Sequence, residues 1–468
     1  MQFTQLEFLI FFVVVLAVAW AARSLQLRSV RMRNVWLLAA SYYFYAYWDY
    51  RFCGLLVLST VVDFVVAKWL VATESPTRRR VLLGISVAVN LGVLGFFKYC
   101  NFFIESAQPL MEFMGLNAST LNIILPVGIS FYTFQTLSYT IDVYRGNLRP
   151  TDRLVDFALF VAFFPQLVAG PIVRAKELLP QLARTPKWSG RRFYGGSQQL
   201  LRGAVKKVLL ADRLGEAVDV VFAAPDLYSS ATVWIAVFAY AGQIYYDFSG
   251  YSDMAIGAAK MLGYRFPVNF RHPYLAQSMT EFWHRWHMTL SRWLRDYLYI
   301  SLGGNRSGSL MTYRNLMVTM VLGGLWHGAA WTFVLWGVLH GIALSVERRF
   351  AGRKPSRPSR LRQIAGWCVT LCVVLLGWIL FRSPDLTSAM QVVAQLFAFD
   401  GGIAWYPPLV LLALGCMVAE HVAWRTRLRL AMRLPITAWY SPVATTVMIW
   451  ALVLYFPREF RPFVYFQF

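Results

Sequence analysis

Apolar runs close to the length of a bilayer crossing follow one another along almost the whole chain, parted by short stretches that collect the arginines and lysines. A membrane offers the backbone no water, so a span must be a helix of about 20 apolar residues or a strand of a closed barrel. The runs here are long and lack the alternating pattern of a barrel, which predicts an all-α polytopic membrane protein with roughly 10 to 12 transmembrane helices. Residues 8–22 are followed by Arg23, Arg28, Arg31 and Arg33 without a small-residue cleavage site, and read as a retained span. Further runs lie at residues 34–48, 52–71, 81–103, 121–144, 232–259, 311–327, 364–381, 409–422 and 438–456.

Placing the basic loops on the cytoplasmic side gives a path. Both termini fall outside, as do residues 105–120, which hold no Lys or Arg, and residues 383–405, a loop with room for a lateral helix. Residues 154–173 sit between basic loops and contain Pro165, Gly170 and Pro171, which predicts a re-entrant hairpin covered by protein. Residues 194–224 are interrupted by Lys206, Lys207, Asp212, Arg213, Glu216 and Asp219, and read either as one long helix or as two shorter pieces. No internal repeat is visible. The expectation is one domain over residues 1–468, with a polar cytoplasmic-face insertion at 260–314 and an outer aromatic tail at 457–468.

The 468 residues are 58% hydrophobic and 16% aromatic, with a net charge of +22. In a soluble protein that charge would suggest nucleic acid. Here the cations fall in loops where they set topology and meet anionic lipid, so the expected partner is the bilayer and nucleic acid is excluded. The five cysteines have neither metal spacing nor a paired framework, and are expected in the core.

Chemistry enters with Leu322-Gly-Gly-Leu-Trp-His327-Gly-Ala-Ala-Trp331. An imidazole at membrane depth is costly unless it meets a polar cavity or a partner, and Gly323, Gly324 and Gly328 clear space around it. The topology places His327 where an ascending helix reverses near residues 328–330, with His340 a lesser candidate on the descending helix. Asp247 and Asp253 are carboxylates in an apolar helix, and are expected to face a wet cavity or partners. The insertion carries Glu281-Phe-Trp-His284-Arg285-Trp-His287, then Arg292 and Arg295. On a helix His284 and His287 would share a face beside the arginines, whose forks suit phosphate. The alternative is a lipid-anchoring basic helix. Neither a metal-binding HExxH, a G-x-S-x-G elbow nor a P-loop occurs. Acyl transfer from a thioester, with one buried histidine as general base, fits these residues. A transporter or flippase, with Asp247, Asp253 and the histidines as a path, is the rival from another class.

Three blocks together, Phe282-Trp-His-Arg-Trp-His287-Met-Thr-Leu-Ser-Arg-Trp-Leu-Arg-Asp-Tyr297, Tyr246-Asp-Phe-Ser-Gly-Tyr-Ser-Asp253 and Gly323-Gly-Leu-Trp-His327-Gly-Ala-Ala-Trp331, resemble the membrane-bound O-acyltransferase superfamily, in its bacterial alginate O-acetylase branch. The resemblance runs from about Leu121 onward. It implies a ring of helices around a thin central catalytic region, with His327 at the family's catalytic histidine and His287 at its second position. Donor would enter from the cytoplasm and acceptor from the opposite face. It further implies a bacterial inner-membrane enzyme that takes acetyl from acetyl-CoA, used as a substrate with no permanently bound cofactor. An extracytoplasmic acetyltransferase partner would complete the transfer to an exopolysaccharide such as alginate. His284, Arg285, Arg292 and Arg295 are the expected donor-binding residues, with Asp247 and Asp253 supporting. A D-alanyl-type enzyme with a carrier-protein donor is the nearest alternative. The tail Phe463-Val-Tyr465-Phe-Gln-Phe468 resembles the aromatic motif of the short partner peptide in teichoic-acid D-alanylation. That makes Tyr465 a candidate transient acyl carrier, the alternative being an interfacial anchor.

Overall fold

The computed structural model describes residues 1, 3–21, 30–116, 119–350, 359–399, 401–424, 434–455 and 461–464. Among these the regular structure is helical, and the one β-bridge pairs Tyr228 with Ile403. The chain packs as two compact units, Met1–Leu200 with Met254–Pro267, and Leu201–Asp253 with Val268–Phe468. It is an α-helical, multi-pass membrane protein.

Three helical stretches, Val30–Ala72, Pro76–Phe113 and Arg360–Arg382, are long and apolar enough to cross a bilayer, and Leu6–Ala21, Pro408–Trp424 and Tyr440–Leu454 are shorter apolar helices. Length and apolarity alone do not carry the described helices to the roughly 10 to 12 spans expected from the runs. Helices such as Ile129–Tyr144 are covered by protein, and accept polar side chains that a lipid-facing helix would not. Outward faces stay apolar, as at Ile10, Val13, Ile364, Val369, Val443 and Val447.

In the first unit the cost of buried polar groups is met by mutual hydrogen bonding. Asp63, fully buried, accepts from Ser86, from Thr140 Oγ1 at 2.7 Å and from Asn90 Nδ2 at 2.8 Å. This ties the helices Cys53–Ala72, Pro76–Leu94 and Ile129–Tyr144 together, because a carboxylate without those donors would be far more costly in an apolar interior. The stretch expected as a re-entrant hairpin is broken as its prolines require: Leu154–Ala162 stops, Phe164–Leu167 forms a single turn, and 171–174 is not helical, with residues 156–174 buried. Phe164 seats that turn against Phe11 and Phe44, at ring distances of 5.2 and 5.5 Å.

Several boundaries differ from expectation. The loop placed at 105–120 is helical to Phe113, because the run continues through a π-turn at Gly95–Tyr99 into Cys100–Phe113. The run from 121 becomes a helix only at Ile129, after Gly128 takes φ 80°. Residues 194–224 take the first of their two expected forms, an unbroken helical run in which Gly190–Val205 leads through a π-turn at Lys206–Ala211 into Asp212–Ala223. The cysteines are not core: Cys368, Cys372 and Cys416 are exposed, and Cys53 and Cys100 are partly so. On helices bathed in lipid a thiol is a small apolar group, and its presence in an apolar run does not reveal which face it takes. The basic linker at 351–358 and the tail residues 456–460 and 465–468 lie outside the described residues.

Candidate active site

The helix Gly308–His327 ends on His327, and the chain reverses at once into Trp331–Phe350. The two helices touch backbone to backbone. A Cβ on Gly324 would lie 2.1 Å from the Phe333 carbonyl oxygen, and one on Gly328 would lie 2.0 Å from the Phe333 ring. The glycines thus set the approach that buries His327 to 4% exposure, with its ring 5.0 Å from Trp326, 5.1 Å from Trp336 and 5.2 Å from Phe381.

His287 is fully buried in the same unit. The expectation that it shares a helix face with His284 fails. The helix Met279–Trp283 ends before His284, and His287 takes φ 39° as the residue ahead of Met288–Trp293. His284 turns outward, its Nδ1 2.7 Å from the Thr280 carbonyl, while His287 turns in. The positive φ is what separates the two rings, since it breaks the helical repeat between them.

Asn269 fixes the His287 tautomer. Its Oδ1 accepts from the Thr289 backbone N–H at 3.2 Å and from Thr289 Oγ1 at 3.0 Å, so that oxygen also accepts from His287 Nδ1, at 3.1 Å. The proton therefore sits on Nδ1, and the lone pair on Nε2, which is buried and has no hydrogen-bond partner among the described residues. Burial pulls the pKa of this imidazole, in the connecting stretch outside the spanning helices, down to about 3. Trp326 packs near both imidazoles, its ring 6.0 Å from His287 and 5.0 Å from His327.

A cavity of about 400 Å³ opens in the same unit, and neither imidazole of this pair lines it. His284, Arg292, Arg295 and Arg348 line it with Met288, Leu294 and Met320. Met288 follows His287 in the chain, and Met320 lies two turns, about 10 Å, before His327 on its helix. Arg285 does not line the cavity. It makes a two-pronged ion pair with Glu281, at 2.6 and 3.0 Å. Arg295 also reaches Asp296, at 2.7 Å.

The two carboxylates of the Ser230–Met261 helix have found partners. Lys206 pairs with Asp253 at 3.0 Å and Glu420 at 3.3 Å, and Lys207 pairs with Asp247 at 2.7 Å and Asp212 at 2.8 Å. In the sequence the two lysines read only as interruptions of an apolar run, and nothing marks Asn269, Trp326 or Arg348 as site residues. The lysines had a signal: two adjacent cations in one apolar run match two anions in the next. Of the tail, Phe463 and Val464 are buried and not exposed at an interface. Phe463 packs 5.4 Å from Phe248, which in turn lies 4.6 Å from His287. Tyr465 lies outside the described residues.

Two buried imidazoles and a cation-edged cavity in one unit of a helical membrane protein are groups that an acyl-transfer enzyme of the bilayer could use. The family model described as MBOAT, membrane-bound O-acyltransferase family, matches residues 151–382, and the chain belongs to that family. It is an O-acyltransferase, which removes the transporter reading. The chain is 46% identical to a protein of Azotobacter vinelandii named "Probable alginate O-acetylase AlgI", over 80% of this chain and 74% of the relative. It is 38% identical to the peptidoglycan O-acetyltransferase of Helicobacter pylori, over 79% and 74%. A teichoic acid D-alanyltransferase of Streptococcus thermophilus is 27% identical, over 54% and 68%.

Proposed function

We propose that this protein transfers acetyl from acetyl-CoA to a hydroxyl acceptor presented from the far side of a bacterial inner membrane, for O-acetylation of an envelope polysaccharide such as alginate. The observation that carries the reading is that His327 and His287 both pack on Trp326, in the unit that also holds a cavity edged by His284, Arg292, Arg295 and Arg348. Relatives that match about four-fifths of the chain bear the names of O-acetylating enzymes, which favours acetyl over D-alanyl.

The cationic rim suits the phosphates of coenzyme A, and the apolar floor at Met288, Leu294 and Met320 suits its slender thioester arm. His287, with a lone pair at Nε2 and little basicity, accepts a hydrogen bond from an amide N–H of that arm and so places the thioester. His327 is the general base. It takes the acceptor hydroxyl proton, the oxygen adds to the thioester carbonyl carbon, and the carbon–sulfur bond breaks. The proton then passes from His327 to the departing thiolate, which leaves as the free thiol. The acceptor is Tyr465, whose acetyl ester is passed to an extracytoplasmic acetyltransferase that finishes on the polymer.

The test is turnover of acetyl-CoA by the purified protein. His327→Gln keeps a polar ring-sized group but no base, and is expected to lower thiol release by about 10²- to 10⁴-fold in a folded protein. Near-normal release from that variant overturns the assignment. Tyr465→Phe keeps the ring and removes the nucleophile, and undiminished polymer acetylation in cells carrying it ends the carrier role.

A further inference from the structure

Residues 461–464 are held at every position, inside the second unit. Arg461 pairs with Asp219 at 3.1 Å, and Asp219 also takes Arg382 at 2.8 Å. The Pro462 carbonyl lies 3.5 Å from Lys207 Nζ. The Phe463 ring packs 5.4 Å from Phe248 and 5.1 Å from Tyr251. Finally, the backbone N–H of Val464 donates to Asp247 Oδ2 at 2.6 Å, while Oδ1 of the same carboxylate pairs with Lys207 at 2.7 Å. Asp247, Phe248 and Tyr251 belong to one helix, Ser230–Met261, so a single element presents a carboxylate and two rings to the tail segment.

A side-chain pocket recognises a residue type, whereas a bond to a backbone N–H fixes a position along the chain. Asp247 is 1% exposed and Lys207 nearly as buried, so the bond is charge-assisted and shielded from water. We infer that Asp247, balanced by Lys207, is a positioning residue that locks the register of the 461–464 segment. In doing so it sets where the following residue, Tyr465, is delivered, a consequence that rests on the carrier role proposed above. Slipping the segment by one residue would put the wrong N–H on the carboxylate, and slipping it by two, to Pro462, would put none there at all.

Full-length protein with its five native cysteines replaced by serine, and Val464→Cys added, gives a direct readout through the rate of maleimide labelling in detergent. With the lock intact, labelling is expected to be about 100-fold slower than in the SDS-unfolded protein, as for a group exposed only by local opening. Removing both charges together, Asp247→Leu with Lys207→Met, avoids leaving one ion buried alone. This pair is expected to speed labelling at 464 by about 10-fold or more while Ala239→Cys, buried on the same helix, stays protected. Asp247→Asn, nearly the same shape, is expected to act in the same direction, and serves if the double variant does not fold. Labelling at 464 that stays slow in a folded variant overturns the lock. So does equal deprotection at 239, which would mean general loosening. If labelling rises but Tyr465→Phe leaves acetylation intact, the lock stands and the carrier role falls.

Discussion

Asn269 illustrates how much of a site rests on one amide. Its Oδ1 gathers three donors, from the backbone and hydroxyl of Thr289 and from His287 Nδ1, and its Nδ2 donates to Ser252 Oγ at 3.2 Å. The residue that decides the tautomer of His287 is thus 18 positions away in sequence. Asn269→Leu would free the ring to rotate or to carry its proton on the other nitrogen. It is expected to lower turnover by about 10- to 100-fold, the size of effect that follows loss of an orienting partner. Asn269→Asp, which keeps the acceptor, is expected to recover part of it, and equal activity in wild type and Asn269→Leu would deny the orienting role. His327 was legible from sequence because a lone imidazole in an apolar run is conspicuous. Asn269 was not, because an asparagine in a polar insertion looks like any loop residue until its partners are seen.

At the scale of elements, the pair Gly308–His327 and Trp331–Phe350 behaves as one piece. Gly324 faces the Phe333 carbonyl, and Gly337 faces the Met320 carbonyl, where a Cβ would stand at 2.5 Å. Because backbone atoms are in the way, no side chain can give. Gly324→Ala is expected to cost about 1–3 kcal/mol by overpacking and to lower the thermal unfolding temperature, with His327 activity falling alongside. A variant as stable as the parent would show that the helices part more easily than the contact suggests. The glycines were readable as close-approach positions, but which helix approached was not. The π-turn at Lys206–Ala211 went unread for a related reason. The charges that break the run look like the ends of two helices, yet they are tolerated within one rod because Asp212, Asp247, Asp253 and Glu420 neutralise them.

For the whole molecule, the path of basic loops makes a sidedness prediction that single residues can test. In a cysteine-free background, a membrane-impermeant maleimide is expected to reach Thr387→Cys from outside the inner membrane of intact cells. Asn305→Cys is expected to react only after lysis. Both side chains are exposed, so a reversed pattern would invert the topology and with it the side from which donor enters.

The sequence by itself determined the class of molecule. Long apolar runs with cations between them admit few structures other than a bundle of membrane helices, because unpaired backbone groups have no place in lipid. It also singled out His327, since the energetic cost of that residue is local and visible in its immediate neighbours. Only the tertiary structure decided that His284 and His287 part company, that Arg285 is committed to Glu281 while Arg348 joins the cavity, and that Asp247 grips the backbone of Val464. Each of these depends on a backbone turn, or on a contact between residues far apart in the chain. Hydropathy records how much each residue resists water, but not which partner spares it.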